Sequence, residues 1–343
     1  MGWGRGLQGA GHNDGRYPEG RSTPRHDRSF TRVGTAPLRI CAAADIHYPR
    51  THATRCAGLA RAMCESGAEV LVLAGDISAG EEKHYRKLLR LFGDFEGPKL
   101  FVPGNHDLWS LSRHPNTPHR YHDTLRHIVE RQGFRYLPGD PLAHGRVGFV
   151  GTVGWYDYAF RQPQPPQPGL RVTPLRAVRT RQGPEFVGDP ARREVPWEEL
   201  TPADYAGHAL AWRAEDAIKR VVWNDGLHVR WGDTDAETVE RLRDELAADI
   251  AAIEERVDYW VAVLHFLPFA KLLGEPAQDI EAAYVRAFLG APAFGRLLAE
   301  HPKCRLVLCG HRHEAQVLSV GDMVLANCSV GDGKAGPLLL TVE

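Results

Sequence analysis

Five short apolar runs in this chain each stop at a polar cluster, and that repeated pattern is the strongest constraint on its fold. Leu38–Ala44 runs into Asp45-Ile46-His47, and Glu69–Ala74 into Gly75-Asp76. Lys99–Val102 is stopped by Pro103 and followed by Gly104-Asn105-His106-Asp107. Tyr259–Leu264 reaches His265, and Arg305–Cys309 reaches Gly310-His311-Arg312-His313. Apolar runs of this length read as buried strands. Open α/β sheets place ligand-binding residues at the C-terminal ends of their strands, and all five clusters stand there.

The segments between are helical in pattern. Residues 52–66, 81–92, 119–132 and 280–300 read as helices, and Val147–Val150 as a further strand. Apolar runs at 315–320, 323–328 and 337–342 read as short antiparallel strands. Strands alternating with helices at this spacing predict a layered α/β sheet.

Three stretches depart from that pattern. Residues 1–36 carry six Arg against three acids and no apolar period, which predicts a disordered tail ahead of a domain over 37–343. An insertion is expected over about 157–257. Its first part, 161–200, is rich in Pro and Arg and reads as a structureless loop. Over 161–193, seven Arg face two acids, a balance that suits either a phosphate clamp or a solvated surface loop. Long helices are expected at 203–223 and 236–257, the second opened by Thr234-Asp235-Ala236-Glu237. They leave a dimerisation element open.

Composition narrows the function classes. A net charge of -1 gives no global attraction to nucleic acid or anionic membrane. No apolar run approaches the roughly 18–20 residues that span a bilayer, and the N-terminus has no secretory apolar segment. The six cysteines show no paired spacing and sit mostly in apolar runs, which predicts buried, reduced thiols in a cytoplasmic protein.

The polar clusters together offer carboxylates, imidazoles and one amide. That mixed donor set suits Mn, Fe, Zn, Co or Ni better than calcium or a thiolate-bound zinc. In Asp45-x-His47 and His311-x-His313 an extended backbone would put both side chains on one side, because the strand period is two. Gly75, Gly104 and Gly310 each precede a candidate ligand and permit a sharp turn into the site.

The five clusters, in this order, resemble the calcineurin-like metallophosphoesterases, whose pattern is D-x-H, G-D, G-N-H-[DE], a lone H, and G-H-x-H. The resemblance runs from Asp45 to His313, excluding the insertion. It implies a four-layer α/β sandwich of two mixed β-sheets flanked by helices, with two divalent metal ions at the strand ends. By motif, Asp45, His47, Asp76 and His313 would hold one ion, and Asp76, Asn105, His265 and His311 the other, with Asp76 shared. His106 would be the catalytic histidine and Asp107 its carboxylate partner. Two cations about 3.5–4 Å apart would activate a bridging water for in-line attack on a phosphate ester.

Departures within the pattern narrow the substrate. Gly75-Asp76-Ile77-Ser78-Ala79-Gly80 lacks the Asp-Arg pair of the phosphoprotein phosphatases, and His106 stands where lipid pyrophosphohydrolases tend to carry Arg. The expected reaction is hydrolysis of a phosphomonoester or phosphodiester, on a small molecule or nucleotide, with a nuclease acting on DNA or RNA as the alternative. A metal-bearing scaffold is disfavoured, since no motif residue is missing. Trp155 and Tyr156, after the fourth strand, fit either stacking on a base or sugar or packing as core aromatics.

Overall fold

The computed structural model describes residues 32–33, 38–110, 115–180, 183–188, 194–331 and 335–342. In chain order the first elements are β1 (Arg32–Val33), β2 (Leu38–Ala43), α1 (Ala53–Cys64), β3 (Val70–Ala74), α2 (Glu82–Leu89), β4 (Lys99–Val102) and α3 (Asn105–Leu108). Next come α4 (Thr117–His119), joined by a π-helical turn to α5 (Leu125–Glu130), then β5 (Arg135–Tyr136), β6 (Leu142–His144) and β7 (Val147–Thr152). The middle of the chain supplies β8 (Arg171–Thr180), β9 (Gly183–Gly188), β10 (Val195–Pro196), α6 (Pro202–Tyr205), β11 (His208–Ala214), β12 (Ala217–Val222), α7 (Asp225–His228) and α8 (Asp235–Ile253). The last part is β13 (Tyr259–Leu264), α9 (Ile280–Val285), α10 (Pro292–Ala299), β14 (Cys304–Cys309), β15 (Gln316–Val320), β16 (Met323–Asn327) and β17 (Leu338–Val342).

Two mixed six-stranded sheets form the body. The first has the order β1-β17-β2-β3-β4-β5, the second β15-β16-β14-β13-β7-β6. β2, β3, β4 and β5 run parallel, as do β7, β13, β14 and β16. Parallel neighbours point their C-terminal ends the same way, so each sheet delivers its strand-end clusters to one rim. The C-terminal strands are antiparallel only in part. β15 and β16 form a hairpin, β16 also pairs parallel with β14, and β17 crosses to the first sheet beside β2.

The sheets face one another through Ile40, Ala42, Val72, Leu100 and Val102 on one side and Phe149, Val261, Val263, Leu306 and Leu308 on the other. The alternate residues Cys41, Ala43, Leu71, Leu73 and Phe101 lie in the outer cluster with α1, α2 and α5. Both faces of each central strand are therefore buried, which is why these strands are nearly continuous apolar runs. The fold matches the expected α/β sandwich flanked by helices. Among the described residues no helix is long and apolar enough to cross a membrane.

The middle of the chain is not the loop and helix that its sequence predicts. Arg171–Thr180, Gly183–Gly188 and Val195–Pro196 are strands, and 203–223 is a four-residue helix followed by the β11–β12 hairpin. Together they make a third, antiparallel sheet of order β10-β8-β11-β12 with β9 on β8. Pro174 argues against a strand because it has no N–H to donate. It is tolerated because β10 pairs with Arg171–Val172 and β9 begins only at Leu175, leaving a gap between them. The Glu215-Asp216 turn of the hairpin lacks the Asn-Gly chemistry that signals such turns, and Glu215 adopts φ 51°. Cross-strand pairing with β8 overrides the helical propensity of Ala, Leu, Lys and Arg here. The expected helix at 236–257 is present as α8, capped by Thr234 and Glu237. Of the tail expected over 1–36, the described residues include only Arg32–Val33, which pair parallel with β17.

Close approach of the two sheets demands a glycine in β7. A Cβ on Gly151 would lie 2.6 Å from Val102 Cγ2 and 2.8 Å from Leu137 Cβ. Gly151→Ala is expected to cost about 1–3 kcal/mol through overpacking, read as a lower urea midpoint. An unchanged midpoint would mean that the sheets can part without cost there.

Candidate metal centre

All five clusters meet on the shared rim of the two sheets. Asp45, His47, Asp76, Asn105 and His106 follow β2, β3 and β4, while His265, His311 and His313 follow β13 and β14. Hydrogen bonds tie the two sides together. His311 N donates to Asp45 Oδ2 at 2.9 Å, and Ala44 N to the Cys328 carbonyl at 3.0 Å. His265 Nδ1 lies 2.9 Å from the Ala74 carbonyl, which leaves Nε2 to face the site.

Three overlapping donor groups result, each within 4.8 Å: Asp45, His47 and His313; His47, Asp76 and His106; and Asp76, His265 and His311. His47 Nε2 lies 3.2 Å from His313 Nε2, and His265 Nε2 lies 3.1 Å from His311 Nδ1. Those separations are what two donors have when each stands roughly 2.0–2.1 Å from one ion. Asp76 Oδ2 is 3.7 Å from His47 Nε2 and 3.4 Å from His265 Nε2, so one carboxylate serves both sides. Asp76 Oδ2 and Asn105 Oδ1 are both buried without a formed hydrogen bond. Buried acceptors are rarely left so, and a cation would supply the missing partner. The residues present fit a pair of divalent ions.

Backbone geometry, not the strand pleat, aims these side chains. Asp45, His47, Asp76, His311 and His313 all have left-handed backbone, with φ between 52° and 71°. They are five of the eight non-glycine residues with positive φ among those described. Such a conformation costs on the order of 1–3 kcal/mol per residue and gathers at functional sites. The extended Asp-x-His and His-x-His geometry expected from sequence is thus replaced by left-handed backbone at the first and third residue of each motif. Gly104 serves by absence of bulk: a Cβ there would meet Asp76 Oδ1 at 2.2 Å.

Electrostatics on the rim are strongly coupled. Burial works to raise Asp76, but His265, His106 and His47 outweigh it and hold Asp76 well below the usual carboxylate range. Burial raises Asp45 against the pull of His313 and His265. Burial would lower His265, yet Asp76 and Asp45 bring it up to about 9. Burial drives His47 and His311 well down and His106 down to about 4, with Arg50 adding to the effect on His106.

The contacts correct one expected role and decide between the two readings of the aromatic pair. Asp107 does not pair with the His106 ring. Its carboxylate accepts from Asp76 N at 2.8 Å, Gly104 N at 2.8 Å, Ser78 N at 3.1 Å and Tyr85 Oη at 2.9 Å. It closes the first turn of α3 and locks two motif loops together, and burial pushes it up to about 7. The ring of His106 instead stacks on Trp109, centroids 3.8 Å apart, and meets His47 edge-on at 4.7 Å. Trp155 and Tyr156 offer no open face to a base. They are 1% and 0% exposed, stack on one another and are enclosed by Trp231, Phe266 and Phe288. Trp155 Nε1 donates to Asp235, and Tyr156 Oη lies 3.1 Å from His208 Nε2. Their edges line a cavity of about 220 Å³ with His208, Asp225, Arg230 and Trp231.

Of the nearby histidines, His119 pairs with Asp123 on the surface and His122 faces Glu245, while His114 lies outside the described residues. Sequence reasoning missed Asp225. It is 2% exposed, and burial raises it to about 6. Asn105 Nδ2 donates to its Oδ1 at 2.9 Å, Trp109 Nε1 to Oδ1 at 2.6 Å and Trp223 Nε1 to Oδ2 at 2.8 Å. Asp225 carries no motif and lies 120 residues from Asn105, so only the folded chain brings it to the site.

Comparison with known proteins follows the same lines. No curated protein matches this chain. A phosphopantetheinyl hydrolase from Mycobacterium tuberculosis shares the fold, with TM-score 0.55 and 18% identity over 88% of this chain and 92% of that one. Two further structures align less well. The protein TT1561 of Thermus thermophilus has TM-score 0.46 and 11% identity over 87% and 91% of the two chains. A dimetal phosphatase from Danio rerio has TM-score 0.45 and 12% identity over 85% and 87%. The calcineurin-like phosphoesterase family matches residues 38–197, which contain the first three motif clusters. The last two clusters, His265 and Gly310–His313, lie beyond the matched residues on the same rim, and over residues 38–197 the chain is similar to the calcineurin-like phosphoesterases.

Proposed function

We propose that the rim is a dinuclear centre that hydrolyses a phosphomonoester or phosphodiester. The observation that carries this is the sharing of one buried carboxylate, Asp76, between two clusters of imidazole donors. Asp45, His47, Asp76 and His313 would hold one divalent ion, and Asp76, Asn105, His265 and His311 the other, with Mn, Fe, Zn, Co or Ni suited to the donors. When bound, such a pair supplies an activated water as nucleophile and neutralises phosphoryl oxygens. The chain's own part is to orient and to donate. His106 stands with Nε2 4.0 Å from Asp76 Oδ2 and its side chain 17% exposed, so it borders both the centre and the solvent. Burial keeps its imidazole neutral near pH 7, so it acts as a hydrogen-bond donor to a phosphoryl oxygen or the leaving alkoxide and not as a standing cation. Stacking on Trp109 restricts its ring to one orientation.

Substrate class is tested on purified protein with Mn²⁺ added. Bis(p-nitrophenyl) phosphate, p-nitrophenyl phosphate, cyclic nucleotides, a phosphopantetheinyl ester and single-stranded DNA form the panel, the ester following the phosphopantetheinyl hydrolase that shares this fold. Hydrolysis of at least one phosphate ester is expected. No turnover of any, with the site fully metallated, would count against the reading. A nuclease would instead show binding that falls steeply with salt.

His106→Ala is expected to keep two ions per chain by elemental analysis while kcat falls about 10²–10⁴-fold. Near wild-type turnover of an alkyl phosphate would remove His106 from the mechanism. Asp107→Asn is expected to act on stability first, by about 1–3 kcal/mol in urea, because it unbalances four buried hydrogen bonds. A pure loss of kcat with an unchanged midpoint would instead restore Asp107 as the partner of His106.

A further inference from the structure

The insertion reaches the rim through a buried carboxylate, Asp225, and through Trp223, whose ring meets His311 edge-on at 5.7 Å. Asp225 opens α7, and the segment around it is fastened to the body by backbone bonds: Ser110 N donates to the His228 carbonyl, and Thr117 N to the Arg230 carbonyl. Each oxygen of Asp225 is engaged. Oδ1 accepts from both Asn105 Nδ2 and Trp109 Nε1, and Oδ2 accepts from Trp223 Nε1. A carboxylate is the side chain that can do this, since it offers acceptors only, whereas an amide would turn a donor toward one of three donors. Three charge-assisted bonds also offset the cost of burying the charge.

The consequence falls on Asn105. An asparagine amide has a donor end and an acceptor end of nearly equal size, and its surroundings decide which faces where. With Nδ2 committed to Asp225, Oδ1 is the end left buried and free of hydrogen bonds. The same oxygen of Asp225 holds Trp109, whose ring lies on His106 on one side and on His228 at 4.7 Å on the other. We propose that Asp225 is a positioning residue supplied by the insertion, which turns the Asn105 carbonyl toward the metal centre and fixes the Trp109–His106 stack. This rests on Asn105 being a metal ligand, as proposed above.

Full-length protein stripped of metal and titrated with Co²⁺, followed by visible absorption, tests it without any turnover. Wild type is expected to bind two ions. Asp225→Ala should weaken one of them about 10–100-fold and leave the other unchanged, the range seen when the support of a ligand is removed. Asn105→Ala should weaken the same ion, and the double variant should be no worse than Asn105→Ala alone, because the two residues act as one unit. Asp225→Asn, which keeps one acceptor oxygen, should fall between wild type and Asp225→Ala. It also serves where Asp225→Ala loses its cooperative thermal transition. Unchanged affinity for both ions in Asp225→Asn and Asp225→Ala would overturn the proposal, as would equal weakening of both ions or losses that multiply in the double variant. Wild type binding no pair of ions, or Asn105→Ala leaving both affinities intact, would instead remove the ligand reading and this proposal with it.

Discussion

The rim depends on one electrostatic constraint: two carboxylates and several imidazoles are buried within a few ångströms of one another. Asp45 and Asp76 are 0% and 1% exposed, and His265 is 0% exposed. Left to protons alone, burial raises Asp45 against the pull of His313 and His265, while imidazoles hold Asp76 low and Asp76 and Asp45 bring His265 up, all in one small volume. Such a cluster is costly to bury unless cations or protons balance it. The left-handed backbone at five of these residues adds to that cost. A fold that only needed stability would not accumulate both.

The sandwich makes the cluster possible by rigid means. Parallel strands in each sheet end on the same rim, and the two sheets are packed tightly enough that a methyl group on Gly151 would not fit. Asp107 then ties the Gly75-Asp76 turn to the Gly104-Asn105 turn through backbone N–H groups, so two motif loops move as one. Its carboxylate shapes the loops that carry the candidate ligands, with no bond to the imidazole beside it in sequence. The third sheet and its aromatic cluster stand against this frame, and Asp225 accepts hydrogen bonds from Asn105 and Trp109 across that boundary.

The parts of the fold legible in sequence were those whose signal is local. β2, β3, β4, β13 and β14 could be read because strands buried on both faces are continuous apolar runs closed by a polar turn. α8 could be read because Thr234 and Glu237 form a capping box. β8, β11 and β12 could not, since Pro174, the Glu215-Asp216 turn and the Lys and Arg residues give the wrong local signals and only pairing between strands makes them a sheet.

For the site the same division holds. Sequence by itself determined which residues crowd the rim, because short motifs at strand ends need only strand order to be brought together: Asp45, His47, Asp76, Asn105, His106, His265, His311 and His313 all stand there. Only the tertiary structure decided what each neighbour does. The family resemblance paired Asp107 with His106, and position after the fourth strand set Trp155 and Tyr156 beside the site. Packing gave Asp107 to three backbone amides and Tyr85, closed the aromatic pair inside the core, and brought Asp225 across the fold to Asn105. Partners of a buried polar group are chosen by the direction and distance of donors in three dimensions, and spacing along the chain does not encode that.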